Sequence, residues 1–534
     1  MIYLSGDNNL SPEMVNAIND IARTGLPDRV ALTIQYDPSL RSLPTFRYYL
    51  EPHKPLKLKS HAGPIPLADY AEPVPDGENA ASPQVLSAFI NWSMSRIRDA
   101  THRMLVLSGH GAGPIGDFLT DDSVPGRQHR SLSMARLLEA LRVAKDKAKI
   151  PDGQSLLHIL GMDSCLMSTV EVGYEVAEAV DYLVASEGFV PNAGWPYGYL
   201  LTQLKRKLAD DAKMDSADVA GRIVADSVDY YTGFTAASIS FDLAACELAK
   251  LQPVEDPEDP IKLDQGNERG ERTDAQLSLT KAIKQLAGKL REALDDPRII
   301  DAVILAHWRA QSFKFEEYTD LGDFCQLLAG SMRQIKESTN VVASAALNIA
   351  NAADDVEKAV NAAVGGRRGA AGAEFQHGTG LSVYFPWSLA MAPPEYSNGR
   401  ARPVMFPSLK PYSTSRFAIA TGWDDFLERY LFKTMRKPKH VAGGKTIEQI
   451  IVEEQAQRSS FTQGLTKYIE GTNKYIEGTN KYIEGTNKYI EGTNKFQSGG
   501  GVGVRGSMKN PPQQVEVDQK KLLQLREEPA VESA

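Results

Sequence analysis

Cysteine is scarce in this chain: Cys165, Cys246 and Cys325 are the only three in 534 residues. They lie far apart, with no metal-ligand spacing and no pattern of a disulfide framework. No run approaches the ~20 apolar residues that a membrane span needs. Basic charge is not in excess either, with 59 Lys+Arg against 68 Asp+Glu and a net charge of −9. That balance removes a general nucleic-acid binder, because no basic face is expected. No leader segment is visible. The chain opens directly inside a strand-like segment, Met1-Ile-Tyr-Leu-Ser5. The written start is therefore expected to lie downstream of the true one, and compartment is not read from a missing leader.

What the chain does have is a rhythm of strands and helices. Ser11-Pro12 and Ser82-Pro83 each offer a hydroxyl cap followed by proline at the first helical position. Met14, Ile18 and Ile21 then share one helical face, as do Leu86, Phe89, Ile90 and Ile97. Strands are expected over 30–36, 103–108, 156–161, 182–186 and 236–241. A helix over Met134–Lys147 separates two of them and supplies the crossover that parallel pairing needs. Ser168 and Glu171 have capping-box spacing for a helix running to about Val180. The class is α/β: an αβα sandwich on a mainly parallel sheet.

Four regions follow. Residues 1–251 form the α/β core, and 252–275, rich in proline and charge, reads as a linker. Residues 276–435 hold long helices, including Val341–Val364, and an aromatic strand, Leu381–Phe385. Residues 436–534 change character: Lys467-Tyr-Ile-Glu-Gly-Thr-Asn473 occurs four times in succession, ending at Asn494. Adjacent apolar residues and a glycine in each copy argue against a coiled coil and for a flexible tail. Its partner is unknown.

The chemistry concentrates in two turns. Leu105-Val-Leu-Ser-Gly-His110-Gly-Ala-Gly113 and Leu160-Gly-Met-Asp-Ser-Cys165 each end an apolar run in a turn that exposes one reactive side chain. In an open parallel sheet, ligands gather at the carboxyl ends of the strands. A histidine and a cysteine placed there on neighbouring strands make a nucleophile and its base. A turn leading into a helix is expected to lower the Cys165 thiol pKa. Cys246 and Cys325 read as small apolar packing residues. His158 sits mid-strand and reads as structural, while His377, before a strand, is a candidate for lining a cleft. A rival motif overlaps the first turn, because Gly111-Ala-Gly-Pro-Ile-Gly116 is a literal G-x-G-x-x-G. A dinucleotide site would require a helix to open there, and the residues that follow read as a loop. Asp7-Asn-Asn9 reads as a helix lead-in or as support for the site's floor.

These residues resemble the clostripain family of cysteine peptidases, whose fold is caspase-like. The resemblance covers roughly residues 1–435. It rests on Gly6-Asp-Asn-Asn-Leu10, Gly109-His-Gly111, Asp163-Ser-Cys-Leu-Met-Ser168, Val184-Ala-Ser-Glu187, Tyr318-Thr-Asp-Leu-Gly-Asp-Phe324 and Gly380-Leu-Ser-Val-Tyr-Phe-Pro386. It implies His110 as general base and Cys165 as nucleophile, with an oxyanion hole from the N–H groups of Gly111 and Cys165. It also implies Asp163 in the pocket for a basic P1 side chain, with Ser186 and Glu187 on the substrate side. The substrate would be a peptide or protein. A bidentate, charge-assisted pair suits a guanidinium there. No cofactor is required for such chemistry. Some relatives use calcium, for which Asp320 and Asp323 are candidates, although no EF-hand spacing is present. Relatives often cut themselves between the two catalytic residues, and they are often secreted. Here the exposed stretch Asp121–Arg130 offers Arg127 and Arg130. The alternative is an idle relative that binds partners through its repeat tail.

Overall fold

Both faces of the central strands are apolar, and the architecture follows from burying both. The computed structural model describes residues 1–40, 42–51, 67, 70–74, 79–124, 130–209, 213–237, 239–251, 278–313, 317–335, 340–386, 396–397, 400–401 and 409–434. The linker at 252–275, the tail at 436–534 with its repeats, and Arg127 lie outside the described residues. In chain order the first elements are β1 (Ile2–Gly6), α1 (Ser11–Thr24), β2 (Leu32–Pro38), β3 (Thr45–Leu50), β4 (Ala71–Val74), α2 (Pro83–Arg96), β5 (Met104–Ser108) and α3 (Met134–Lys147). Then come β6 (Leu157–Asp163), α4 (Val170–Val176), β7 (Val180–Ala185), α5 (Tyr197–Ala209), α6 (Ser216–Thr232) and β8 (Phe241–Glu247). The remainder comprises α7 (Leu279–Ala293), α8 (Pro297–Arg309), β9 (Ser312–Phe313), β10 (Tyr318–Asp320), α9 (Leu321–Arg333), α10 (Asn340–Val364), β11 (Arg368–Ala371) and β12 (Ser382–Tyr384). Three helices, α11 (Lys410–Ser413), α12 (Arg416–Thr421) and α13 (Trp423–Thr434), close the described chain.

The main sheet runs β11-β8-β7-β6-β5-β1-β2-β3-β4. Its centre, β7-β6-β5-β1-β2, is parallel, and both flanks are antiparallel. Alternate side chains go to opposite faces, as the period of a strand requires. Tyr3, Leu105, Leu107, Leu160 and Leu183 enter one apolar layer, while Ile2, Leu4, Val106, Ile159 and Val184 enter the other. Helices α2 and α3 cover the first layer with Leu86, Phe89, Ile90, Leu137 and Leu141. Helices α1 and α6 cover the second with Met14, Ile18, Ile21 and Val224. This is the expected αβα sandwich. Its strand order reverses direction between β1 and β5, the kind of switch point where such sheets open a crevice.

Several boundaries differ from the sequence reading. The strand expected over 236–241 instead starts at Phe241, and 235–237 form a single 3₁₀ turn. Burial decides this, because Phe241 through Cys246 are buried on both faces. Ser11 does not cap α1. Its hydroxyl is paired with Tyr36 Oη at 2.8 Å and accepts the Ser39 N–H, so Leu10 takes the cap position. Ser82 does cap α2, accepting from the Val85 N–H.

The helical part is not a separate body. Its apolar residues on α7, α8, α9, α10 and α13 belong to the same continuous core as α2, α3 and α4. β11 from this part pairs with β8 and forms one edge of the main sheet. The short antiparallel sheet β12-β10-β9 sits beside the carboxyl ends of the central strands, where Ser382 N–H donates to Ser168 O at 3.0 Å. Among the described residues, no helix is long and apolar enough to cross a membrane.

Phe385, which follows β12, is fully buried. Its ring stacks on His307 at 3.7 Å and meets Phe324, Trp423, Phe426 and Tyr430 edge-on at 5.1–5.6 Å. Phe385→Ala is expected to cost ~3–5 kcal/mol of stability through the lost transfer and the cavity left behind. Urea unfolding of both proteins measures it. A loss below about 1 kcal/mol would show that this aromatic cluster is not what holds the helical part.

Candidate active site

Strands β5 and β6 pair in parallel with Ser108 opposite Asp163, and both strands end there. His110 and Cys165 each follow two residues later. Two neighbouring strands thus launch the two side chains from equivalent positions over one edge of the sheet. One cavity takes both of them, together with Glu13, Asp163, Val190 and Tyr197. It lies at the switch point beside β1, whose following turn supplies Leu10.

The histidine turn is held from several sides. His110 Nε2 lies 2.6 Å from Asn9 Oδ1, and Leu119 N–H donates to His110 O at 3.0 Å. With Nε2 donating to Asn9, Nδ1 keeps the lone pair. Tyr318 Oη donates to Ala112 O at 2.8 Å, which ties the turn to the small sheet. Gly111 has no room for a side chain, since a Cβ there would lie 2.5 Å from Cys165 O and 3.2 Å from Cys165 N. The two turns therefore touch backbone to backbone. The G-x-G-x-x-G spacing opens no helix: Gly111 bridges to Phe118, and the next helix is α3. That geometry offers no helix N-terminus for a pyrophosphate.

The Cys165 thiol is half-buried. Its Sγ accepts the Val190 N–H at 3.3 Å and lies 3.7 Å from Val190 O as donor. Leu166 adopts φ = 64°, a left-handed conformation uncommon for such a side chain, and this sharpens the turn just after the thiol. Its N–H donates to Gly188 O at 2.9 Å. Helix α4 begins only at Val170, capped by Thr169 rather than Ser168. Ser168 Oγ donates to Gly380 O instead, and Glu171 accepts from Tyr384 N–H and Tyr412 Oη. The expected lowering of the thiol pKa by a helix N-terminus is overturned. Burial pushes the Cys165 thiol up, the Val190 N–H opposes this, and the Asp163 and Asp242 carboxylates push it further. Burial also lowers the His110 imidazole, against the pull of Asp122. Both shifts favour an uncharged thiol and an uncharged imidazole at rest.

Asp163 is buried, and its carboxylate accepts from Trp195 N–H at 2.9 Å, Ser108 Oγ at 3.0 Å and Tyr197 Oη at 2.8 Å. Burial outweighs these bonds and raises its pKa to about 6. Ser186 and Glu187 are buried and do not line the cavity. The Ser186 hydroxyl donates to Asp242, and Glu187 Oε2 accepts the Gly380 N–H. Asp320 caps α9 and accepts the Asp323 and Thr379 N–H groups, while Asp323 accepts from Gln311 N–H. Among the described residues, no three His, Cys, Asp or Glu side chains converge as a metal site. His158 Nδ1 accepts the Arg103 N–H within the sheet, and His377 is exposed and does not line the cavity. Arg130 is exposed, with its carbonyl bonded to Asp121 N–H. Sequence reading left Asn9 between two roles and missed Glu13, the Val190 amide and Asp242 altogether. Glu13 lies beside the buried stripe of α1 and lines the cavity with Ala17, one turn on, but nothing in its own spacing marks it as facing a cavity.

A raised thiol predicts a measurable profile. Alkylation of Cys165 by iodoacetamide, read on its peptide by mass spectrometry, should still be climbing with pH where an ordinary thiol has levelled off. A plateau reached below neutrality would show a preformed thiolate instead.

The description "Clostripain family", of the C11 peptidases, matches residues 71–430, about two-thirds of the chain. Solved structures similar to this chain include a secreted C11 cysteine protease from Bacteroides thetaiotaomicron in complex with an irreversible peptide inhibitor. It is 16% identical, with 79% of this chain and 98% of that chain covered and a TM-score of 0.48. An inactive zymogen C11 protease from Parabacteroides distasonis is 17% identical over 79% of this chain and 96% of that chain, with a TM-score of 0.47. Comparison with curated proteins gave no match. With the family matched over most of its length, this chain belongs to the clostripain family of cysteine peptidases.

Proposed function

We propose that the chain is an endopeptidase that cleaves after basic residues through Cys165 and His110. The observation that carries this reading is the equivalent placement of the two side chains, two residues beyond a paired strand end, over one cavity. His110 Nδ1 takes the thiol proton as Sγ bonds to the scissile carbonyl carbon. The tetrahedral intermediate collapses, the C–N bond breaks, and the leaving amine takes that proton from His110. Water, deprotonated by the same histidine, then hydrolyses the thioester and regenerates the thiol. The N–H groups of Gly111 and Cys165 are the candidate oxyanion donors. Their backbones approach closely only because residue 111 is glycine. Side chains and water suffice for these steps, and a chelator titration reads whether calcium is needed as well.

Asp163 is the proposed partner of the P1 cation. A carboxylate has about four acceptor sites, and three donors already occupy Asp163. One remains for the substrate, so the pair is a single charge-assisted bond rather than a bidentate one. Glu13, across the same cavity, adds the second negative charge. The sign of the pH effect follows from the raised pKa of about 6. Below that value Asp163 is neutral and attracts a cation weakly. Its contribution to stability runs the other way: it is fully present below the ordinary carboxylate range and lost as pH rises through about 6. The ratio of kcat/KM for arginine over alanine at P1 should therefore fall as pH drops through about 6, and Asp163→Ala should flatten it. A ratio unchanged by both would remove Asp163 from the pocket.

Self-processing is part of the same proposal. Arg130 is tied by its carbonyl to Asp121 and by its Nε to Val124 O at 2.6 Å. The cut is expected after Arg127 or Arg130. The halves are expected to stay together because β5 pairs with β6 along all of its own length. Mass spectrometry should find two fragments for the wild type and for Cys246→Ser and Cys325→Ser. Cys165→Ala should stay intact and lose cleavage of arginyl amides. An intact, fully active wild type would end the processing proposal, and activity in Cys165→Ala would end the mechanism.

A further inference from the structure

Asp242 lies in β8, buried, and none of the steps above uses it. A buried carboxylate is costly unless donors satisfy it. Its donors all come from one three-residue segment. Oδ1 accepts the Ser186 hydroxyl at 2.7 Å and the Gly188 N–H at 2.9 Å, and Oδ2 accepts the Glu187 N–H at 2.8 Å. The same segment turns its carbonyls the other way. Ser186 O accepts from Ser168 N–H and Gly188 O from Leu166 N–H, both at 2.9 Å, on either side of the strained turn after Cys165. Two residues past Gly188, the Val190 N–H reaches Sγ at 3.3 Å. The acid is thus linked to the thiol through a single short loop.

We propose that Asp242 is a positioning residue that holds the 186–190 loop so that the Val190 N–H stays on Cys165 Sγ and the turn around the thiol keeps its shape. This inference rests on Cys165 being the nucleophile. Its charge and its position act on the thiol with opposite signs. As a bare negative charge, Asp242 disfavours the thiolate, as do Asp163 and burial. As an anchor it keeps a hydrogen-bond donor on the sulfur. Asp163, Asp320 and Glu187 are other acids in this region, and their donors lie elsewhere than the loop backbone at 186–188: Ser108, Trp195 and Tyr197 for Asp163, Asp323 and Thr379 for Asp320, and Gly380 for Glu187.

Asp242→Asn separates the two effects. It keeps the volume and one acceptor oxygen but sets an NH₂ against the Glu187 N–H or against the Ser186 and Gly188 donors. We expect kcat on a peptidyl-arginine amide to fall about ten- to a hundredfold, with KM changed by less than about threefold. Iodoacetamide alkylation of Cys165 should slow across the pH range while thermal unfolding stays cooperative. Ser186→Ala, which removes one of the three donors, should move both readouts the same way by about two- to fivefold. It decides the matter if Asp242→Asn does not fold. Faster alkylation in Asp242→Asn would mean that charge alone matters, and unchanged kcat and alkylation in both variants would equally overturn the proposal. Cys165→Ala serves as the control: if it still cleaves, the peptidase mechanism has failed rather than this inference.

Discussion

The pairing of Ser108 with Asp163 is the constraint from which the site follows. Parallel strands in register end side by side, so whatever follows each strand by the same count arrives at the same height. A slip of one residue would turn the side chains of β6 to the wrong layer and carry Cys165 away from His110. The packing of Trp195 on Gly161, where a Cβ would lie 2.7 Å from the indole, opposes that slip. Core packing therefore sets the geometry of the reactive pair, and the pair itself adds little to holding it.

The electrostatics around the thiol are unusual in direction. Asp163, Glu187, Asp242 and Asp320 are all buried close to the sheet edge, and burial raises the pKa of each. Of these, Asp163 and Asp242 work against a standing thiolate. Under the proposed specificity, a guanidinium entering near Asp163 would offset part of that field. In the proposed reaction, the thiol becomes a good nucleophile when a basic substrate is present and His110 takes its proton. An uncharged resting pair is also a less reactive target for stray oxidants and electrophiles.

Much of this was legible in the chain. The apolar runs before Gly109 and Ser164, with a helix between them, dictated adjacent parallel strands. The glycines around His110 marked a close approach, which Gly111 makes to Cys165. What stayed hidden was long-range. The pairing of β11 with β8 joins residues more than a hundred positions apart, and no local period announces it. Asn9 was legible as a helix lead-in or as support for the site's floor but not as the partner of His110, since that contact spans 101 positions. Leu166 carries no glycine signal for its left-handed backbone. Asp242 went unread because its meaning lies in the three donors that the loop after β7 sends to it. The helix-start reading of Ser168 failed for a similar reason: a distant carbonyl, Gly380 O, competed for its hydroxyl and won.

The braces on the two reactive turns come from far down the chain. Tyr318 holds Ala112 across 206 positions, and Gly380 holds Ser168 across 212. A ribosome adding about 5–20 residues per second needs on the order of ten to forty seconds to travel that distance. Throughout that interval the nascent chain already carries its histidine and its cysteine, yet the residues that fix their turns have not been made. Completion of the site is thereby timed by the synthesis of residues 318–380 and not by the pairing of the strands that bear it.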